Sequence, residues 1–285
     1  MLTNLTTLLA KASAGGYAVG AFNSINLEFA EAVVNASRAC RAPVILNIAE
    51  AHFPYVTPEF IIPAIKAMIR PGDPDLVINL DHGLTFESVV HALDSGFTSV
   101  MFDGSKYSYE ENVRLTGEIV RIAHQKGISV EAELGAVGGD EGGGLAASAD
   151  PELFTDPMQA LDFVTRTGCD ALAVAIGNVH GAYRGDPDLD FARLEKIRKT
   201  VAIPLVLHGG SGISDADFHR AIDIGISKIN FFTGMAQAAL DATRHGLTGE
   251  LARYNAFPDI MRIVKQAVQQ TVEEQIRIFG NGKFN

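Results

Sequence analysis

The sequence predicts a (β/α)₈ barrel with an N-terminal helix and a C-terminal helical extension. Three observations predict it: short β-branched runs alternate with longer segments of helical period, the alternation repeats eight times, and no Ser/Gly/Pro-rich linker interrupts it. Such barrels use about 250 residues as one domain, and the 285 residues of this chain are read as a single unit, 1–285. A doubly wound open sheet uses the same alternation and is the competing arrangement, but eight units closing one sheet fit this length better than six plus an appendage.

The opening residues, Met1–Ala10, lack a basic stretch and read as a short amphipathic helix rather than a signal peptide. Strands are expected at Ala18–Phe22, Val44–Ile48, Leu76–Leu80, Ser99–Phe102, Ser129–Glu133, Ala171–Ala175, Leu205–Leu207 and Lys228–Phe231. Helices are expected at Leu27–Cys40, Pro58–Met68, Phe86–Ser95, Glu110–Gln125, Pro157–Thr165, Phe191–Thr200 and Asp215–Ile224, with another after Gly234 and a long one over Asp259–Phe279. Thr57-Pro58 and Asp156-Pro157 put proline at a first helical position, Ser214 precedes an acidic first turn, and Gly127 and Gly225 stand where helices should stop. Gly138–Gly144 is glycine-rich and falls in a long connection after the fifth strand, which suits a lid or binding loop as well as a tolerated insertion.

Composition narrows the function classes. Thirty-four acidic residues against 23 basic ones give a net charge of −11, which opposes attraction to nucleic acid or an anionic membrane, so an anionic ligand must be held by a local site. No apolar run reaches the roughly 18 residues of a spanning helix. Cys40 and Cys169, the only cysteines, are too few for a disulfide framework and suit a reducing compartment, the cytoplasm.

In a barrel the C-terminal strand ends carry the active site, and here they carry carboxylates and imidazoles. The third strand runs into Asp81-His82-Gly83, the fourth into Asp103-Gly104-Ser105, and the fifth ends at Glu131-Ala132-Glu133. The sixth is followed by Gly177-Asn-Val-His180-Gly181 and the seventh by His208-Gly209-Gly210-Ser211-Gly212. Three histidines after three different strands, His82, His180 and His208, make a candidate catalytic Zn²⁺ site with an open fourth position. The glycine turns after the sixth and seventh strands, with Asn230-Phe-Phe-Thr233-Gly234 leading into a helix, expose N–H groups suited to a phosphate, and Arg184 stands beside the sixth-strand turn to add a charge-assisted contact.

With these blocks in order, the sequence resembles the class II, zinc-dependent ketose-bisphosphate aldolases, of fructose- and tagatose-bisphosphate type. The matching segments are Asn79-Leu-Asp-His-Gly83, Val100-Met-Phe-Asp-Gly-Ser105, Val130-Glu-Ala-Glu-Leu-Gly135, Asn178-Val-His-Gly-Ala-Tyr183, Leu205-Val-Leu-His-Gly-Gly-Ser-Gly212 and Lys228-Ile-Asn-Phe-Phe-Thr233. The resemblance implies His82, His180 and His208 as zinc ligands, Asp81 as catalytic acid/base, and Asp103 and Glu133 as carboxylates near the metal that serve an alternative metal position or orient a ligand. It also implies Gly181, Gly209, Ser211, Asn230 and Thr233 around dihydroxyacetone phosphate, and Asn23 facing the substrate. A phosphorylated sugar substrate, a monovalent cation near the phosphate and a homodimer or homotetramer follow from the same resemblance.

The chain departs from the family where relatives often have Lys for Arg184 and a small or polar pair for Phe231-Phe232. After the second strand it offers Ala49, Glu50 and His52. A carboxylate there would repel a second phosphate, so a substrate whose distal end is not phosphorylated is expected if Glu50 faces the pocket; Glu50 in solvent and His52 merely packed is the alternative. Lys228 keeps a Schiff-base mechanism in view, and a non-catalytic barrel subunit or a metal-dependent hydrolase are the rival functions.

Overall fold

The computed structural model describes residues 1–139, 148–248 and 257–284. Eight parallel strands close a barrel: β1 (Val19–Asn23), β2 (Val44–Ala49), β3 (Leu76–Gly83), β4 (Ser99–Phe102), β5 (Ser129–Leu134), β6 (Ala171–Val174), β7 (Leu205–Leu207) and β8 (Ile226–Phe231). Each pairs with its neighbours in sequence and β8 pairs with β1, so the sheet has no free edge and the open doubly wound arrangement is excluded. Helix α1 (Leu5–Gly15) precedes the barrel. Helices α2 (Leu27–Cys40), α3 (Pro58–Met68), α4 (Phe86–Ala92), α5 (Tyr109–Gln125), α6 (Pro157–Thr167), α7 (Phe191–Thr200) and α8 (Asp215–Ile224) link successive strands, and α9 (Thr233–Leu247) and α10 (Phe257–Phe279) follow β8. Among the described residues no helix is long and apolar enough to cross a membrane.

Local chemistry sets the boundaries. Helix α1 begins at Leu5 because the Asn4 side chain accepts the Thr7 N–H at 3.0 Å, and it ends where Gly16 turns left-handed at φ 68°. Helix α4 stops at Ala92, short of the expected Ser95, as Asp94 and Ser95 N–H groups bond three residues back and the chain turns at Gly96. Asp156 accepts from the Met158 and Gln159 amides at the head of α6, and Ser214 from Asp217 at the head of α8. Of the glycine-rich segment only Gly138 and Gly139 are among the described residues; they pair in parallel with Val179 and His180.

The strands are buried on both faces, and alternation along them sorts the barrel interior into layers. Val19 and Ala21, Ile45, Val77, Met101, Ala171, Ala173 and Val206 form an apolar lower cluster with Leu5, Leu8, Leu9 and Ala12 of α1. Two residues further along the same strands the buried side chains are polar: Asn23, Asn47, Asn79 and His208. The period of two thus carries each strand from a packed floor to a chemical rim.

One ion pair fixes the entry to β3. Arg38 at the end of α2 donates from Nε and Nη2 to the two Asp73 oxygens at 2.9 and 2.8 Å. That hydrogen-bonded pair, helped by the Arg70 amide, holds the Asp73 carboxyl at about 2. Because this lies below the unfolded value of about 3.9, the pair stabilises the fold above about pH 4 and its contribution fades as pH falls through the folded pKa. The Tm difference between the wild type and Asp73→Asn is therefore expected to be constant above about pH 5 and to shrink below about pH 4. Thermal melts at stepped pH measure it, and a difference that stays flat into acid removes the pair from the account.

Candidate active site

Strict alternation along β3 would bury Asp81 and turn His82 away from it. The structure avoids this with a bulge: Leu80 pairs with Val100 and Gly83 with Phe102, so two residues of β3 stand against one of β4. His82 absorbs the extra residue at φ 42°, a left-handed conformation costly for a side chain of this size. Both neighbours thereby reach the rim, Asp81 fully buried and His82 only 7 % exposed.

The three histidines converge, their ligand-capable nitrogens lying within 4.8 Å of one another. His208 Nδ1 and His82 Nε2 are 2.9 Å apart, and His180 Nε2 is buried with no hydrogen-bond partner among the described residues. The opposite ring nitrogens are held by carboxylates: His82 Nδ1 by Asp103 at 3.0 Å and His208 Nε2 by Glu131 at 2.9 Å. Metal-binding histidines are oriented in this way, one nitrogen tethered and the other presented. Burial, reinforced by the charge of His82, pushes His180 down to about 3 and His208 well below the usual histidine range. Both stay in the neutral form a metal requires, so the residues fit a divalent ion.

Asp103 and Glu133 form a second group with His82, again within 4.8 Å. Burial raises the Asp103 carboxyl, but the hydrogen bond and charge of His82, with the Ser105 contacts, outweigh it and leave the group far below the usual range. Glu133 goes the other way, raised by burial and by the charge of Asp103, and its Oε2 has no hydrogen-bond partner among the described residues.

Asp81 sits beside the trio. Asn230 Nδ2 donates to its Oδ1 at 2.9 Å and lies 3.2 Å from His208 Nδ1, while Asn23 Nδ2 approaches Oδ2 at 3.4 Å. Gly181, Gly209, Ser211, Asn230 and Thr233 all line one cavity next to His180. Gly181 and Gly209 adopt φ of 80° and 65°, and a Cβ on Gly209 would stand 2.0 Å from the Val179 carbonyl oxygen, so that turn requires glycine. Ser211 Oγ accepts the Gly234 N–H at 3.0 Å in the first turn of α9, whose N-cap residue, Phe232, has no side-chain acceptor to offer. Backbone donors and a helix N-terminus at a cavity suit an anion. Arg184 is not brought to that cavity: the chain turns at Gly181 and Gly185 and carries it, exposed, onto a neighbouring one with Asp186, Asp188 and Asp190.

The loop after β2 meets neither expectation for Glu50. Its Oε2 accepts the Leu84 N–H at 2.7 Å and the Ser88 hydroxyl at 2.6 Å, tying the loop to the start of α4. His52 is buried against Phe232, with ring centroids 4.8 Å apart.

Several residues inside the matching segments gain a role only from their contacts. Lys228 Nζ donates to Glu131 Oε2 at 2.7 Å, both fully buried, so a continuous polar chain runs Lys228, Glu131, His208, His82, Asp103. Asn178 Nδ2 donates to the His208 carbonyl at 3.1 Å, and the Tyr183 hydroxyl donates to the Gly209 carbonyl at 2.9 Å and accepts the Val179 N–H. These bonds lock the loops bearing His180 and His208 together. The available signal was the spacing of two in Glu131/Glu133 and Lys228/Asn230, which puts each pair on one barrel face.

Comparison with known proteins places this geometry. The family model described as fructose-bisphosphate aldolase class-II matches residues 3–283. The chain is 40% identical over 283 residues to a probable fructose-bisphosphate aldolase of Bacillus subtilis (strain 168), covering 98% of each. It is 40% identical over 282 residues to a fructose-bisphosphate aldolase of Staphylococcus aureus (strain Mu50), covering 98% of this chain and 97% of the relative. Among solved structures, the YdjI aldolase of Escherichia coli K12 superposes with a TM-score of 0.87 at 37% identity, covering 99% of this chain and 98% of that one.

Proposed function

The chain belongs to the class II fructose-bisphosphate aldolase family, a family of aldehyde-lyases, and on that premise we propose that it cleaves a ketose bisphosphate or ketose 1-phosphate reversibly to dihydroxyacetone phosphate and an aldehyde. The observation that carries the reading is the approach of His82 Nε2 and His208 Nδ1 to 2.9 Å beside the unpartnered His180 Nε2, with Asp81 adjacent. His82, His180 and His208 would hold the metal, and an all-imidazole donor set favours Zn²⁺ over the hard oxygen-seeking ions. When bound, the ion supplies Lewis-acid stabilisation of negative charge, worth several kcal/mol.

The remaining work belongs to the side chains. Asp81 Oδ accepts the proton of the C4 hydroxyl as the C3–C4 bond breaks, C4 becomes the aldehyde carbonyl, and the bond's electron pair passes to C3 and the C2 oxygen; C3 then takes up a proton to give dihydroxyacetone phosphate, balancing the one that left O4. Asn230 and Asn23 hold the carboxylate for that transfer. Gly181, Gly209, Ser211 and Thr233 cradle the phosphate, where a monovalent cation is assigned too. Asp103 and Glu133 orient His82 or take an alternative metal position. The Lys228 amine, buried against Glu131, is poorly placed for a Schiff base. We assign one functional unit over 1–285, a homodimer or homotetramer, and, with Cys40 and Cys169 unpaired, the cytoplasm.

Chelation is expected to abolish ketose 1-phosphate cleavage and zinc to restore it, with about one tightly held divalent ion per chain by elemental analysis. A protein that binds no divalent ion and cleaves no member of a broad ketose-phosphate panel defeats the reading.

A further inference from the structure

The loops after β1 and β2, the start of α2 and one face of α9 line an open cavity of about 570 Å³. Phe232 is part of its wall and of the wall of the phosphate cradle, so the two spaces adjoin at that residue. His52 also lines it, 6 % exposed, three residues beyond Ala49, which pairs with Asp81 across β2 and β3, and its Nδ1 lacks a hydrogen-bond partner among the described residues. The rest of the wall is apolar, from Ile25, Phe29 and Leu240 among others, with hydroxyls on Tyr55 and Thr243; no Lys or Arg lines it among the described residues.

We propose that this cavity is the subsite for the aldehyde half of the substrate and that it selects an uncharged, hydroxyl-bearing chain, with His52 Nδ1 hydrogen-bonding one hydroxyl. The proposal rests on the aldolase reading: with the phosphate in the cradle and the scissile bond at Asp81, the aldehyde half extends past Asp81 toward His52. A buried ring nitrogen left without a partner, as Nδ1 is here, costs free energy until a ligand satisfies it. A phosphate dianion is a poor occupant, because an apolar wall without cations or clustered N–H donors does not compensate its desolvation. The selectivity therefore comes from what the wall lacks; Glu50, occupied with Leu84 and Ser88, is not required for it.

The test is aldol synthesis by the zinc-loaded enzyme from dihydroxyacetone phosphate and a set of aldehydes: glycolaldehyde, glyceraldehyde, a four-carbon hydroxyaldehyde and glyceraldehyde 3-phosphate. The unphosphorylated hydroxyaldehydes are expected to have the higher kcat/KM. His52→Phe should lower kcat/KM for them about three- to tenfold, the worth of one neutral hydrogen bond, chiefly through KM of the aldehyde. Ala239→Phe, which fills the cavity, should penalise the four-carbon aldehyde more than glycolaldehyde. A preference for glyceraldehyde 3-phosphate, or indifference to both substitutions, overturns the subsite while leaving the aldolase intact. So does an Ala239→Phe variant that changes only the sedimentation behaviour, since the occupant is then a second copy of the chain. Absence of product from every aldehyde overturns the aldolase reading and the subsite with it.

Discussion

Replacing Asp81 by Asn is expected to lower kcat for aldol cleavage by about 10²–10⁴-fold while the metal content per chain stays at the wild-type level. The substitution is isosteric, and an amide oxygen can still accept from Asn230 Nδ2, so the short contact at 2.9 Å survives. What disappears is the ability to take a proton. Asp81 is not one of the three nitrogen donors, and Asn230 and Asn23 are among its hydrogen-bond partners. Steady-state kinetics in a coupled dihydroxyacetone phosphate assay, with elemental analysis of the same sample, separate the two roles. Turnover within about threefold of wild type, a factor worth well under 1.4 kcal/mol, would strip Asp81 of its acid/base role, and a parallel loss of metal would make it a positioning group.

Glu131→Gln is expected to have two large effects that a second substitution pulls apart. Glu131 is the common partner of Lys228 and His208, all three fully buried. Removing its charge strands an ammonium in the barrel interior, a situation that costs about 3–5 kcal/mol and is read from the denaturant midpoint. It also loosens the carboxylate grip on His208 Nε2, and loss of such a partner weakens metal affinity about 10–100-fold, read by competition with a chromogenic chelator. Adding Lys228→Met should recover most of the stability and none of the metal affinity. A single variant that loses neither stability nor affinity would show that the chain from Lys228 to His82 is geometry without energetic weight.

The alternation of strand and helix and the identity of the rim residues were legible because they rest on local period and on strand ends. Val19, Ala21 and Asn23 already spell the passage from floor to rim. What was not legible depends on three dimensions. Asp81 and His82 are adjacent in sequence, and only the bulge at Leu80–Gly83 lets both face inward. Arg184 has the right charge and the wrong direction, because two left-handed glycines flank it. Glu50 reads as a lone loop carboxylate until the Leu84 amide, 34 residues away, comes to meet it. Glu131 lies inside a motif whose second carboxylate, Glu133, drew the attention, and its partners are 77 and 97 residues distant.

The placement of α1 has a consequence for the order in which the barrel is completed. This helix is the first element of the chain, yet its buried face joins a cluster that includes Val19 of β1 and Val206 of β7, and it contacts β5 and β8 directly. Its apolar stripe, with Leu5, Leu8 and Leu9, therefore has no complete partner until synthesis has passed Phe231 at the end of the eighth strand. The seal at the bottom of the barrel is made last although it is written first. The polar interior above it, including Lys228 and Glu131, can shed water for good only at that moment, so the final exclusion of solvent and the setting of His208 belong to one late step of folding.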